Sequence, residues 1–216
     1  MKVYFKIVVF SVLVSTFSIN AVAQTFDDLE ARLIVGVKYK FDNGLRLSAN
    51  YEHRLDDNLR HYKKSIPAAK VSYDIDVSNH LKFAPAFEYR LETGDIHTVN
   101  DLRYSGGLSY KISENLKFNY TPILQQLLVN NRTPEFYLRN GIELNYSLNE
   151  SLSFSIFSEN YQEFDSGMKF SAQKSGVGAT YLVNKKNEIQ LKIKSKQYSN
   201  HKDILRIYAA YYYIIK

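Results

Sequence analysis

Residues 137–160, YLRNGIELNYSLNESLSFSIFSEN, alternate between apolar and polar side chains. Leu138, Ile142, Leu144 and Tyr146 fall on one side, and Arg139, Gly141, Glu143, Asn145 and Ser147 on the other. Asn149-Glu150-Ser151 then turns the chain, and Leu152, Phe154 and Ile156 resume the apolar side against Ser153, Ser155 and Glu159. Alternate side chains of an extended strand point to opposite faces, so a period of two predicts a hairpin with one apolar and one polar face. The unit repeats along nearly the whole chain. Leu45, Leu81, Leu116, Leu152 and Ile189 each open a second strand just after a polar turn, at intervals of 35–37 residues. The turns are built from Asn, Asp, Ser and Gly, which tolerate tight reversals or bond their own main chain. Helical solenoids also repeat at about this length. The alternation inside each unit, and its density of Tyr, Phe, Val and Ile, favour strands.

A second register concerns tyrosine. Tyr39, Tyr73, Tyr110, Tyr146 and Tyr181 each precede a short turn by about three residues, on the apolar face, and Tyr213 holds the same place near the end of the chain. An apolar ring with a polar tip suits the boundary between lipid and water. The same residues could be core tyrosines of a soluble sandwich, whose apolar faces pack on each other. Six at one depth favour a membrane-interface girdle, with the polar faces enclosing a lumen. The opposite strand ends join through longer polar segments, 54–65, 92–100, 126–134, 160–168 and 199–203. That asymmetry predicts short periplasmic turns and longer outer loops. The expected fold is all-β: an antiparallel transmembrane β-barrel of ten to twelve strands in meander order, with strands of about ten residues. Eleven strands are readable. Single-chain bacterial barrels have even numbers, so twelve is the expectation. The missing strand would lie in 54–70, where alternation fails around Lys63-Lys64, unless residues 24–30 cross through the lumen. Pro85 and Pro122 fall inside strands and predict bulges, and Asn140 is a polar blemish on the apolar face.

The 216-residue length suits one domain, and the absence of Cys removes disulfides, thiolate metal sites and a lipoprotein anchor. A mean hydropathy of −0.32 excludes a bundle of apolar transmembrane helices and leaves a barrel open, because alternating strands average to mild polarity. Lys2 and Lys6, the apolar run 7–14 and Ala21-Val22-Ala23 form the pattern of a secretory signal cut before Gln24. An uncleaved N-terminal helix is the alternative. The expected organisation is a signal peptide at 1–23 and an outer-membrane barrel at 24–216. Its expected partners are the lipid bilayer and, during biogenesis, the barrel-assembly machinery.

The units YEHR (51–54), DLRYSGGLSYKI (101–112) and YLRNGIELNYSL (137–148), hung on this hairpin period, resemble the family called domain of unknown function 2490. The resemblance covers essentially all of the mature chain and implies an exported outer-membrane barrel of a Gram-negative bacterium. It carries no functional residues with it. Lys216 departs from the aromatic residue that commonly ends the last strand of such barrels.

The polar face is the candidate functional surface. It carries Glu52, Arg54, Glu88, Arg90, Arg103, Arg139, Glu143, Lys192 and Lys194, with Arg46, Lys70, Asp74, Glu159 and Arg206 in the same register. A mostly basic lumen would favour anions and make a narrow pore for small solutes. Facing Glu and Arg could equally close a small barrel into a salt-bridged plug that serves as a structural or partner-binding platform. Lys192, Lys194 and Lys196 share one face without an acid between them, which is also what a solvated strand end looks like. A rim hydrolase is a remote third reading: Asp56-Asp57 with His61, and His201-Lys202-Asp203, could activate water if their loops meet. The five histidines show no metal-ligand spacing, no glycine loop cradles phosphate, and the basic residues alternate instead of clustering. No metal, cofactor or nucleic acid is expected.

Overall fold

The computed structural model describes residues 26–94, 98–129, 132–164, 167–199 and 203–216. The signal peptide expected at 1–23 therefore lies outside the described residues. The strands are β1 (Asp28–Lys40), β2 (Leu45–Asp56), β3 (His61–Tyr73), β4 (Ile75–Asp76), β5 (Leu81–Gly94), β6 (Thr98–Lys111), β7 (Leu116–Val129), β8 (Glu135–Ser147), β9 (Leu152–Phe164), β10 (Met168–Asn184), β11 (Asn187–Tyr198) and β12 (Ile204–Ile215). Each long strand pairs with its sequence neighbours, as in a meander, and β1 pairs with β12 to close the ring.

Eleven strands make the barrel, and the two-residue β4 stands outside it. No twelfth strand hides in 54–70, because that stretch is the end of β2, a turn and β3. An odd ring closes through one parallel junction, with Asp28 opposite Ile204 and Tyr39 opposite Ile215. β1 and β12 thus run the same way, and the even-number expectation fails because it assumes an antiparallel closure. The failed alternation at Lys63-Lys64 has its own cause: Lys63 is the extra residue of a bulge between Arg54/Lys64 and Leu55/Tyr62.

The prolines make no bulges. Pairing runs through Pro85 (Ala84 with Gly107, Pro85 with Gly106) and through Pro122 (Thr121 with Gly141, Pro122 with Asn140) without a shift. A missing N–H costs one ladder bond on one side only. The interruption falls between Ser72/Ala86 and Ile75/Phe83 for Pro85, which separates β4 from β3, and between Ser105/Ile123 and Leu108/Tyr120 for Pro122. Asn140 points outward as expected, and its Oδ1 accepts a bond of 2.9 Å from the Tyr120 hydroxyl.

The two ends of the barrel differ less than the sequence suggests. Connections leave two to four residues at the end carrying Lys40 and Leu45, apart from the seven between β3 and β5 that include β4, and three to five at the end carrying Asp56 and His61. The strands simply continue into the polar segments expected to be loops. The turn chemistry is as expected: Asn149 Oδ1 accepts bonds from the Ser151 and Leu152 amides, Asn184 Oδ1 from Lys186, and Ser78 Oγ from His80 and Leu81. Recurrence of this side-chain-to-backbone turn is what gives the chain its period.

Outward positions are the exposed apolar residues, such as Leu33, Val35 and Val37 on β1 and Leu191 and Ile193 on β11. The only apolar core cluster among the described residues is inside: Ile34, Ala210 and Tyr212, with Tyr208 against them. Tyr212 lies over Gly36, where an added Cβ would stand 2.8 Å from Tyr212 Cε1, Ala49 O and Asn50 Cβ. Overpacking of this kind costs ~1–3 kcal/mol. Gly36→Ala is therefore expected to lower the urea midpoint of the barrel in detergent micelles, and an unchanged midpoint would show that Tyr212 and the facing β2 backbone both give way at little cost.

Candidate functional site

Because Glu30, Glu52, Glu88 and Asp101 each sit two residues before an Arg on the same strand, acid and base leave the backbone on one face. The side chains then pair locally: Arg32 with Glu30 at 3.5 Å, Arg54 with Glu52, Arg90 with Glu88 at 3.1 Å, and Arg103 with Asp101 at 2.5 Å. Cross-strand contacts join these pairs into a belt. From β12, Arg206 reaches Glu30 at 2.5 Å, and Lys63 donates to Glu30 at 2.8 Å. Arg32 bridges to Glu52 at 3.4 Å, and Arg90 joins Glu52 at 2.7 Å and Asp101 at 3.7 Å. Gln125 donates to Asp101 at 2.9 Å and accepts from Arg139 at 3.1 Å, so an uncharged amide relays between an acid and a guanidinium. Arg139 then holds Glu159 through Nε and Nη2, and Glu159 meets Lys174 at 3.7 Å. Among the described residues the ion pairs of the belt, with the Gln125 relay on β7, involve every long strand except β11.

On β11 the chemistry changes. Among the described residues, Lys194 and Lys196 have no carboxylate within ion-pair reach, and aromatic rings stand in its place. Lys194 Nζ lies 4.5 Å from the Tyr208 ring centre, and Lys196 lies 3.8 Å from Tyr198 and 5.4 Å from Tyr161. A ring face offers a cation a fraction of what a carboxylate does, so these ammonium groups keep most of their field for a mobile anion. The belt and this lysine sector surround an interior cavity of ≈ 630 Å³, lined by thirteen Lys and Arg side chains against five carboxylates. Toward the turns, the inward face of β6–β10 carries small residues (Ser105, Gly107, Thr121, Gly141, Ser155, Gly178) around the larger Glu143 and Phe157.

All nine lumen residues expected from the sequence point inward. Glu52, Arg54, Glu88, Arg90, Arg103, Arg139 and Lys194 line the cavity. Lys192 and Glu143 face each other across the interior at 4.0 Å, from strands that are not neighbours. Arg46 and Asp74 pair at the turn end. The six tyrosines point outward on the turn-end rim; Tyr39, Tyr73, Tyr110, Tyr181 and Tyr213 are exposed and Tyr146 is half-buried. At the opposite rim Asp57 and His61 touch at 3.3 Å, both well exposed, while Asp56 is held by Lys63 at 3.2 Å. His201 and Lys202 lie outside the described residues.

Glu30, Asp101, Gln125 and Lys174 are not among the lumen residues expected from the sequence, although Glu30 and Asp101 are among the most deeply buried side chains of the barrel. Their signal was present: EAR, EHR, EYR and DLR repeat the same acid-x-Arg spacing on four strands. Gln125 and Lys174 had only their parity to recommend them, and Ser171, an extra residue between Phe170 and Ala172, breaks the parity of β10.

No protein-family model matches this chain, and no curated protein matches it. Solved structures do. The chain is similar to the NanC porin (TM-score 0.59, 11% identity, covering 82% of this chain and 93% of that one). It is similar to the KdgM porin (TM-score 0.53, 15% identity, 81% and 99%), and to the KdgM porin in complex with disordered oligogalacturonate (TM-score 0.51, 14% identity, 83% and 95%). At these identities the likeness establishes the fold, and this chain is a porin-like β-barrel.

Proposed function

We propose that this barrel is an outer-membrane pore that is narrow and anion-leaning, exported through the signal read from residues 1–23; the resemblance to domain of unknown function 2490 implies only the exported outer-membrane barrel. The carrying observation is the thirteen-to-five excess of basic side chains around the interior cavity, with Lys194 and Lys196 uncompensated. Rings and rows of cations in a confined, low-dielectric passage select by sign. An eleven-strand ring lies between small barrels, whose side chains fill the interior, and the large barrels that hold an aqueous channel, so a narrow passage is what its size supports. The tyrosine rim at the turn end fits a lipid–water boundary on that side.

The interleaving of Lys174, Lys194 and Lys196 with Tyr161, Tyr198 and Tyr208 suits a solute that has both negative charge and a flat face. A similar porin structure holds an oligogalacturonate, which makes a carboxylated sugar the first solute to test. The belt of ion pairs favours a second reading, in which the barrel is plugged and serves as a platform. Planar-bilayer recording of purified protein separates the two. Discrete conductance events with an anion-selective reversal potential, weakened in Arg139→Glu, are the expected result. Silence under every salt condition would leave the plug.

A further inference from the structure

The exterior of the barrel carries a polar island that the lumen does not explain. β9 turns Ser158, Asn160 and Gln162 outward, β10 turns Gln173 and Ser175, and β11 turns Ser195 and Gln197; Ser158 pairs in register with Ser175 and Ser175 with Ser195. At the same distance from the turns, β1 presents Ala31 and Leu33, and β12 presents Leu205 and Ile207. The barrel wall does not simply emerge into water here, because apolar residues flank the island on both sides. Ile156, Val177 and Ile193 lie toward the turns, and Phe164, Met168 and Phe170 lie toward the other rim with 44%, 55% and 53% of their surface exposed. The island contains no charge. Among the described residues its internal satisfaction is one weak bond, Gln173 Nε2 to Ser158 Oγ at 3.3 Å; Ser195 Oγ is buried without a hydrogen-bond partner, so the open groups are those of Ser158, Asn160, Gln162, Gln173, Ser175 and Gln197.

Resting on the membrane reading above, we propose that this face of β9–β11 is a two-fold interface with a second copy of the same chain. Unpaired amides and hydroxyls facing hydrocarbon are costly, so something must meet them. Asn and Gln each carry donors and acceptors in equal measure, and Ser carries both, so the island is complementary to itself. A two-fold axis along the membrane normal brings the same patch to the same depth on both copies, which is the geometry of an isologous contact. A soluble partner could not reach a site bounded by apolar residues above and below. Lipid phosphate finds no cation on the island.

The chain lacks Cys, so single-cysteine variants report contacts cleanly. Ser175→Cys, on the middle strand of the island, is expected to give a disulfide-linked dimer on mild oxidation of native membranes. Val35→Cys, exposed on β1, is expected to give none. Combining Gln173→Leu and Gln197→Leu with Ser175→Cys is expected to abolish the cross-link while heat-modifiable migration shows the barrel still folded. A membrane-integral, heat-modifiable protein whose Ser175→Cys variant stays monomeric, or cross-links to a protein of another mass, overturns the interface and leaves the membrane reading standing. A chain released by carbonate washing and lacking heat-modifiable migration overturns both.

Discussion

Glu52→Ala is expected to destabilise the barrel by about 3–5 kcal/mol, the range measured when one partner of a buried ion pair is removed. Glu52 is 2% exposed and faces three guanidiniums: Arg54 through Nε, Arg90 at 2.7 Å and Arg32 at 3.4 Å. Deleting the carboxylate leaves that part of the belt with cations that repel one another and cannot all reach water. The loss should propagate, because Arg90 also touches Glu88 and Asp101 and so links Glu52 to the β6–β8 part of the belt. Urea unfolding in micelles, followed by the fraction migrating in the heat-modifiable folded form, gives the comparison. Glu150→Ala, in the exposed turn before β9, is the control and should stay within about 0.5 kcal/mol of the parent. A Glu52→Ala barrel as stable as the control would mean that water already screens the three guanidiniums.

What the sequence reveals and conceals follows from how local each determinant is. The strands and their two faces were legible because alternation and Asn- or Ser-headed turns act within a few residues, and residues 137–160 show both. Lumen residues inherit their direction from parity alone, so Arg139 and Glu143 could be placed without knowing their partners. The partners could not. That Arg139 meets Glu159 and Gln125, or that Lys192 faces Glu143 across the interior, depends on register between strands, which no short window encodes. Bulges hid for the same reason. Lys63 disturbs the pattern and so suggested a missing strand, whereas Pro85 and Pro122 look disruptive and disturb nothing, because each loses a bond on one side only. The odd strand count is the deepest case. The parallel pairing of β1 with β12 joins the two ends of the chain and leaves no mark in either strand.

Reversing the charge of the two uncompensated lysines should weaken the anion preference of the proposed pore. Lys194 and Lys196 sit in the gap that the ion-pair belt leaves at β11, and aromatic rings are their nearest neighbours. Most other cations around the cavity already face a carboxylate, so their fields largely cancel at a distance; these two do not. Placing glutamates there removes two positive charges from that side of the lumen and adds two negative ones, which the neighbouring Arg32, Lys174 and Arg206 partly offset. In Lys194→Glu, Lys196→Glu double-variant channels the lining still holds eleven basic against seven acidic side chains, so the reversal potential under a KCl gradient is expected to move toward zero as the anion preference weakens. Leu191→Glu, on the exterior of the same strand, should leave the reversal potential unaltered where the protein inserts at all. The preference in the parent should fade as salt rises, since the screening length contracts from about 10 Å at 0.1 M to about 3 Å at 1 M, shorter than the span of a lumen this size. A double variant that conducts with the parental reversal potential would place the conducting path away from β11. Selectivity would then have to come from Arg54, Arg90 and Arg103, whose carboxylate partners make them the weaker source.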